Sequence, residues 1–139
     1  RLEGYRKLAA ATDHDGIKAV VDELVDRYGP LPEEVRRLIS VAKLRLLARE
    51  YGLEEIAVVG TQIKISPMQL PDSKQMRLKR VYPSAQYRAT TGMVQLPLPR
   101  AGTGGIGADR VRDVELLQYI ANLILAMDGR AADAVVMEA

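Results

Sequence analysis

The sequence predicts an α+β domain in which helices pack on a small, mainly antiparallel sheet. Three observations support this class: apolar residues at helical spacing dominate the first fifty residues, short apolar segments separated by turn residues follow, and an apolar helix closes the chain. With 139 residues and 47% hydrophobic content, the chain is expected to form one domain with a single core. The predicted parts are a helical part (1–52), two β-hairpins with a basic helix (53–100), a glycine-rich loop (101–108), a closing helix (109–127) and a tail (128–139).

The helical part is predicted to hold three helices, because its apolar residues recur at intervals of three and four. A short first helix contains Leu2, Tyr5, Leu8 and Ala9, and longer helices follow at Gly16–Tyr28 and Pro32–Tyr51. Three polar residues could cap the second helix: Thr12, Asp13 and Asp15. The apolar stripe of the second helix is expected to be buried and consists of Ile17, Val20, Val21, Leu24, Val25 and Tyr28.

The sharpest local signal is the corner between the second and third helices, in the segment DELVDRYGPLPEEVRRL (22–38). Gly29 tolerates the positive φ of a helix stop, Pro30 cannot continue a helix, and Pro32 suits the first turn of the next one. Since the connection is only a few residues long, the two helices are expected to be neighbours. The third helix is predicted to bury Val35, Leu38, Ile39, Ala42 and Leu46.

Two hairpins and a basic helix are predicted next. Ile56–Val59 is expected to be a buried strand that turns at Gly60–Thr61 into an alternating strand carrying Ile63 and Ile65. Residues 71–73 open the basic helix, which ends near Tyr82–Pro83. The second hairpin comprises Tyr87–Thr90 and Met93–Leu96 around Gly92, and Pro97 and Pro99 end it or confine it to a sheet edge. The closing helix presents an apolar face made of Val114, Leu117, Ala121, Ile124 and Leu125.

Composition excludes several functional classes. The chain has no Cys, which rules out a disulfide scaffold and Cys-based zinc sites and fits a cytoplasmic protein. The longest apolar run, at 116–127, is too short to span a bilayer, so no membrane association is expected. His14 is the single histidine and is interpreted as part of a solvated linker, TDHDG, rather than as a metal ligand. No catalytic residue, metal site or cofactor site is therefore predicted, although carboxylate chemistry stays open.

The segment GTGGIG places Gly102, Gly104 and Gly107 at the spacing of a dinucleotide-binding loop. A helix follows it, but the preceding QLPLPRA contains two prolines, and no second βαβ strand with a ribose-binding acid follows in the residues that remain. A glycine loop without a nucleotide is the favoured interpretation.

Charge is unevenly distributed. Residues 61–108 carry seven Lys and Arg against one Asp, and the segments on either side are mildly acidic. A candidate basic patch lies in the short helix, at Lys74, Arg77, Lys79 and Arg80, with Arg88 and Arg100 beyond it. It could bind phosphates of DNA, dock on an acidic partner, or form a solvated helix face.

The second helix carries the opposite charge. Asp22, Glu23 and Asp26 lie off its apolar stripe. This acidic face is either solvated or docks on a basic partner surface.

The run ELVDRYGPLPEEVRRLISVAKLRLLAREYG, followed by EEIAVVGTQIKI, resembles the C-terminal domain of bacterial transcription-repair coupling factors. In that family a helix ends in a V/I-D-R-F/Y-G-x-L-P corner and leads into a long Leu- and Arg-rich helix and a β-hairpin. The later YRATTGMVQL and the closing helix are similar to the family's second hairpin and final helix. The resemblance is strongest over Glu23–Ile65, and the glycine-rich loop (101–108) is not part of the family pattern.

The resemblance implies a regulatory role. Family members are ATP-dependent DNA translocases that displace stalled RNA polymerase and recruit the damage sensor UvrA in nucleotide excision repair. ATP and Mg belong to their motor domains, whose motifs are missing here, so this fragment of a longer chain is expected to be non-catalytic. It is expected to dock on the N-terminal UvrB-like module of the same protein and mask its UvrA-binding surface. By motif position, Glu23 and Asp26 are the candidate interdomain contacts; the alternative is an accessory DNA-binding module that uses residues 74–100.

Overall fold

The computed structural model describes residues 2–100 and 113–130. Within them, five helices and four antiparallel strands form an α+β fold, which confirms the predicted class. The elements are α1 (Leu2–Ala10), α2 (His14–Tyr28), α3 (Glu33–Glu50), β1 (Glu55–Val59), β2 (Gln62–Ser66), α4 (Asp72–Val81), β3 (Gln86–Arg88), β4 (Met93–Pro97) and α5 (Asp113–Met127). The predicted glycine-rich loop, the first residues of the closing helix and residues 131–139 of the tail lie outside the described residues.

Helix α2 begins earlier than predicted because Asp13 caps it. The Asp13 carboxylate accepts a hydrogen bond from the Gly16 N–H at 2.7 Å, and its own backbone is extended. His14 is consequently the first residue of α2, and its assignment to a linker is wrong. Of the three predicted capping candidates, Asp13 holds the cap position.

Replacing Asp13 with alanine is expected to lower the free energy of unfolding by about 1 kcal/mol, because the N–H of Gly16 loses its acceptor. Urea denaturation of the two proteins measures this loss. Thr12→Ala is the matched control, since Thr12 precedes the cap and should leave the unfolding midpoint unchanged. Equal losses in both variants would contradict the assignment of the cap.

The predicted corner is confirmed, with adjustments. Gly29 has φ of +77° and donates its N–H to the Val25 carbonyl at 2.8 Å, which ends α2. The sequence predicts that α3 begins at Pro32, but the helix begins at Glu33 and Pro32 is the residue before it. The Pro32 carbonyl accepts the first backbone hydrogen bonds of that helix. Helices α1, α2 and α3 pack around one apolar cluster of buried side chains: Leu8, Ile17, Val20, Val21, Leu24, Val35, Ile39, Ala42 and Leu46.

Three side chains predicted to be buried at this corner are exposed: Val25, Tyr28 and Leu38. Successive residues of a helix are rotated by about 100°, so Val25 turns away from the surface on which Leu24 is buried. Tyr28 is the last residue of α2 and is 49% exposed. Residues at the margin of an apolar stripe thus remain in contact with solvent.

The sheet has the order β1-β2-β4-β3, with a hairpin at each side. Its central strands carry the fully buried Ile63, Ile65 and Val94. The predicted strand at Ile56–Val59 is confirmed as β1, but its predicted burial is wrong, because β1 is an edge strand in which Val58 is 45% and Val59 55% exposed. An apolar run alone does not distinguish a central strand from an edge strand. Strand β3 is also shorter than predicted, while β4 is central and ends at Pro97.

A second apolar cluster lies between the sheet and α5 and includes Leu44 and Leu47 of α3. Helix α3 therefore contributes one face to each cluster, whereas the sequence predicted one buried stripe. Helix α5 is buried over most of its surface, with Ala121, Ile124 and Leu125 inside as predicted and Val114 and Leu117 half-buried. None of the described helices is both long enough and apolar enough to cross a membrane.

Candidate functional site

Glu23, the first candidate contact residue, is bound within the helical part. Its two carboxylate oxygens accept hydrogen bonds from Lys7 of α1, each at 3.3 Å, and one of them lies 3.7 Å from the guanidinium of Arg27. This arrangement ties α2 to α1. Any partner that binds Glu23 must compete with Lys7.

Asp26, the second candidate, has a different environment. It is exposed, and within the described ranges (2–100 and 113–130) it makes no ion pair. Glu23 and Asp26 point in directions roughly 60° apart around the helix axis, so the structure brings them together only loosely. Asp22, on the other side of Asp26, pairs with Lys18 at 2.9 Å. Asp26 is thus the carboxylate of this face that is available to a partner.

Most of the candidate basic patch is used by the domain itself. Lys74 lies 3.5 Å from the Asp128 carboxylate, Arg77 donates to the Ala126 carbonyl at 3.3 Å, and Lys79 donates to the Ala85 carbonyl at 3.0 Å. Arg80 is exposed and has no ion pair with any residue that the structure describes. The four side chains accordingly do not form one free cationic surface.

The contact of Lys74 with Asp128 belongs to a polar network that joins the ends of three helices. The Tyr51 hydroxyl donates to Asp128 at 2.7 Å, and Arg130 donates to the Tyr51 hydroxyl at 2.9 Å and lies 3.2 Å from Glu50. The Tyr51 hydroxyl, together with Lys74 and Arg130, lowers the pKa of the Asp128 carboxyl below its ordinary value of 3.8. Burial and the hydrogen bond to Asp128 raise the pKa of Tyr51. The network fixes the end of α5 against α3 and α4.

This network makes stability depend on pH in a definite direction. Because the pKa of Asp128 is lowered in the folded state, its ionised form stabilises the fold above pH 3.8, and that contribution is lost as the pH falls through the lowered pKa. Tyr51→Phe removes the main cause and should reduce the loss of unfolding free energy between about pH 6 and about pH 2.5. Urea denaturation at both pH values measures this loss of unfolding free energy. The control is Tyr28→Phe, at a tyrosine that is exposed. An identical acid loss in wild type and Tyr51→Phe would contradict this role.

A groove that the sequence did not predict lies between α3, β1 and the first turns of α5. It has a volume of about 490 Å³ and an apolar floor that includes Leu44, Leu117 and Ile120. Arg45 and Arg49 of α3 line one side, and Glu54 and Glu55 line the other. The spacing of the two arginines, four residues apart beside the apolar Val41 and Ala48, was the available sequence signal.

Within residues 2–100 and 113–130, no group of three or more His, Asp or Glu side chains could hold a metal ion. Burial raises the pKa of Tyr82 to about 12, with a contribution from Tyr119, whose ring meets it edge-on at 5.7 Å. Such a phenol stays protonated and acts as a packing residue. The glycines of GTGGIG lie outside the described residues.

Comparison with known proteins identifies the family. The family model for the TRCF domain matches residues 1–78, more than half of the chain. The transcription-repair-coupling factor of Mycobacterium tuberculosis (strain CDC 1551 / Oshkosh) is 58% identical over 131 residues, which cover 94% of this chain and 10% of that protein. This chain belongs to the TRCF domain family.

A second relative and a solved structure are also similar to this chain. The Escherichia coli (strain K12) transcription-repair-coupling factor is 34% identical over 56 residues, covering 40% of this chain and 5% of that protein. A crystal structure of the C-terminal domain of transcription-repair coupling factor superposes with a TM-score of 0.64 at 15% identity, covering 92% of this chain and 80% of that one. The chain spans about a tenth of the length of the mycobacterial relatives it matches.

Proposed function

We propose that this TRCF domain is an autoinhibitory docking element of a transcription-repair-coupling factor. In the intact protein it binds the N-terminal UvrB-like module and covers the surface that recruits UvrA. The motor domains elsewhere in the chain bind ATP and Mg, displace stalled RNA polymerase and move along DNA in the cytoplasm. Engagement of the motor releases the TRCF domain and exposes the UvrA site.

The observation that carries the proposal is the outward acidic face of α2. Asp26 is exposed and unpaired within the described residues, and the apolar Val25 beside it is also exposed. A carboxylate beside an exposed apolar side chain suits a partner surface that presents a basic residue near an apolar one. Because both surfaces belong to one chain, the tether raises their effective concentration, and a modest affinity is enough to keep the mask closed.

The experiment compares UvrA binding by the full-length protein and three variants: Glu23→Ala, Asp26→Ala and the double variant. Asp26→Ala is expected to give most of the increase in UvrA affinity, because Glu23 already binds Lys7. The matched control is Asp15→Ala, an exposed carboxylate in the first turn of the same helix. Unchanged UvrA affinity in the double variant would overturn the masking function.

The contacts of α4 argue against DNA binding by residues 74–100. Lys74, Arg77 and Lys79 hold α4 against α5 and the start of β3, so a phosphate backbone would have to displace those contacts. A shift of duplex DNA by this chain at low salt, abolished by Arg80→Ala, would instead support that second function.

A further inference from the structure

The groove between α3, β1 and α5 plays no part in the proposed docking of α2. It follows β1 along its length, since consecutive residues Glu54–Val58 line it. Val58 pairs with Ile63 across the hairpin, and opposite residues of an antiparallel pair lie on the same face of the sheet. Ile63 is fully buried on that face while Val58 is 45% exposed, so the helical layer that covers the sheet stops short of β1.

Strand β1 lines this groove and is an edge strand of the sheet. Strand β1 pairs with β2 on one side and, among the described residues, has no strand on the other. An exposed edge presents backbone N–H and C=O groups that a further strand can pair with. An extended segment laid along β1 would therefore gain backbone hydrogen bonds and place alternate side chains over the apolar floor.

The charges at the rim restrict what that segment can be. Arg45 and Arg49 on the α3 side, and Glu54 and Glu55 on the β1 side, are exposed, and none forms an ion pair within the part of the chain that the structure describes. A fitting strand combines apolar residues at alternate positions with carboxylates that can reach the arginines. Strand β1 itself, in the sequence LEEIAVVG (53–60), has this composition.

We propose that β1 pairs with β1 of a second copy of this chain, antiparallel about a two-fold axis at Ala57. In this register Ile56 of each copy stands opposite Val58 of the other, and both lie on the face that carries the groove. The two paired edge strands then join two four-stranded sheets into one sheet of eight strands. The apolar side chains of one copy cover those of the other. The interface is isologous, as a two-fold dimer requires.

The same register also pairs charged residues at the rim of the groove. Glu54 of one copy falls opposite Gly60 of the other, at the end of β1 that follows Val58. Helix α3 and β1 are joined by only Tyr51–Glu54 and line the same groove, with Arg45 about one helical turn before Arg49 on the α3 side. In the proposed dimer, Arg45 faces the carboxylate that the partner strand brings to this groove. Each copy's Glu54 meets the other copy's Arg45, and the two-fold axis makes two such pairs.

Sedimentation equilibrium of the 139-residue chain, between about 1 µM and about 500 µM, tests the pairing. The mass should rise from 15.3 kDa towards twice that value as the concentration increases. Val58→Lys places two like charges beside the axis and should abolish the rise. The control is Val81→Lys, at a similarly exposed apolar side chain of α4, which should leave the dimer intact.

A charge exchange tests the register without touching the apolar seam. Arg45→Glu should weaken dimerisation roughly tenfold, and adding Glu54→Arg to it should restore most of the affinity. A chain that stays monomeric at every concentration would overturn the proposal and leave the groove to a segment of another protein. A dimer that survives Val58→Lys, or one that the double exchange does not restore, would also contradict it.

Discussion

Replacing Gly92 with alanine is expected to destabilise the domain by roughly 3 kcal/mol. Gly92 turns the β3–β4 hairpin with φ of +67°, a conformation that residues with a Cβ rarely adopt. A Cβ at this position would also meet backbone atoms: the Met68 nitrogen at 3.0 Å and the Met68 oxygen at 3.1 Å. Those atoms cannot move away freely, because the Met68 N–H donates to the Gly92 carbonyl at 2.8 Å.

Gly60→Ala separates the cost of the positive φ from the cost of the close contact with Met68. Gly60 turns the other hairpin with a similar φ of +63°, but no atom lies within 4 Å of the position that its Cβ would occupy. Alanine there carries only the conformational cost, about 1 kcal/mol. Urea denaturation of both variants measures the difference. Equal losses would show that the close approach of Gly92 to Met68 contributes nothing.

The second large effect is functional. If the TRCF domain masks the UvrA site as proposed, Asp26→Arg in the full-length protein should raise the apparent affinity for UvrA by roughly tenfold or more, because it replaces attraction to the proposed basic partner surface with repulsion. Asp26 has no ion pair among the described residues, so the substitution should leave the stability of the TRCF domain nearly unchanged. Under the proposed masking function, loss of the closed state removes the competition that UvrA meets, and the gain in affinity is limited by the fraction of molecules in which the mask was closed.

Asp15→Arg is the control for net charge, since it changes the charge of the same helix equally but lies at its first turn. Titration with UvrA, followed by a binding signal on the labelled full-length protein, measures both variants. An equal rise in both would attribute the effect to overall charge rather than to the face around Asp26.

Local chemistry predicted much of this fold. The stop at Gly29, the cap at Asp13 and the turn at Gly92 each follow from a backbone requirement that a few neighbouring residues satisfy. The α+β class and the order of the elements could be predicted from such signals together with apolar periodicity.

Contacts between residues distant in the sequence could not be predicted. Lys7 reaches Glu23 from another helix, and Arg77 reaches the Ala126 carbonyl across 49 residues. Strand β1 has an apolar composition suited to a central strand, yet only the pairing of the whole sheet makes it an edge. These contacts decide which charges remain available. The charge pattern indicated an acidic face, and tertiary packing leaves Asp26 as the carboxylate of that face without an ion pair among the described residues.

Competition for the isolated UvrB-like module tests the central claim most directly. The module is immobilised, UvrA is added at a fixed concentration, and this chain is titrated in, with its Asp26→Arg variant as the control. The masking function predicts that bound UvrA falls as the chain binds, and that the variant has a much weaker effect. A ternary complex, in which UvrA and the chain stay bound to the module together, would contradict it.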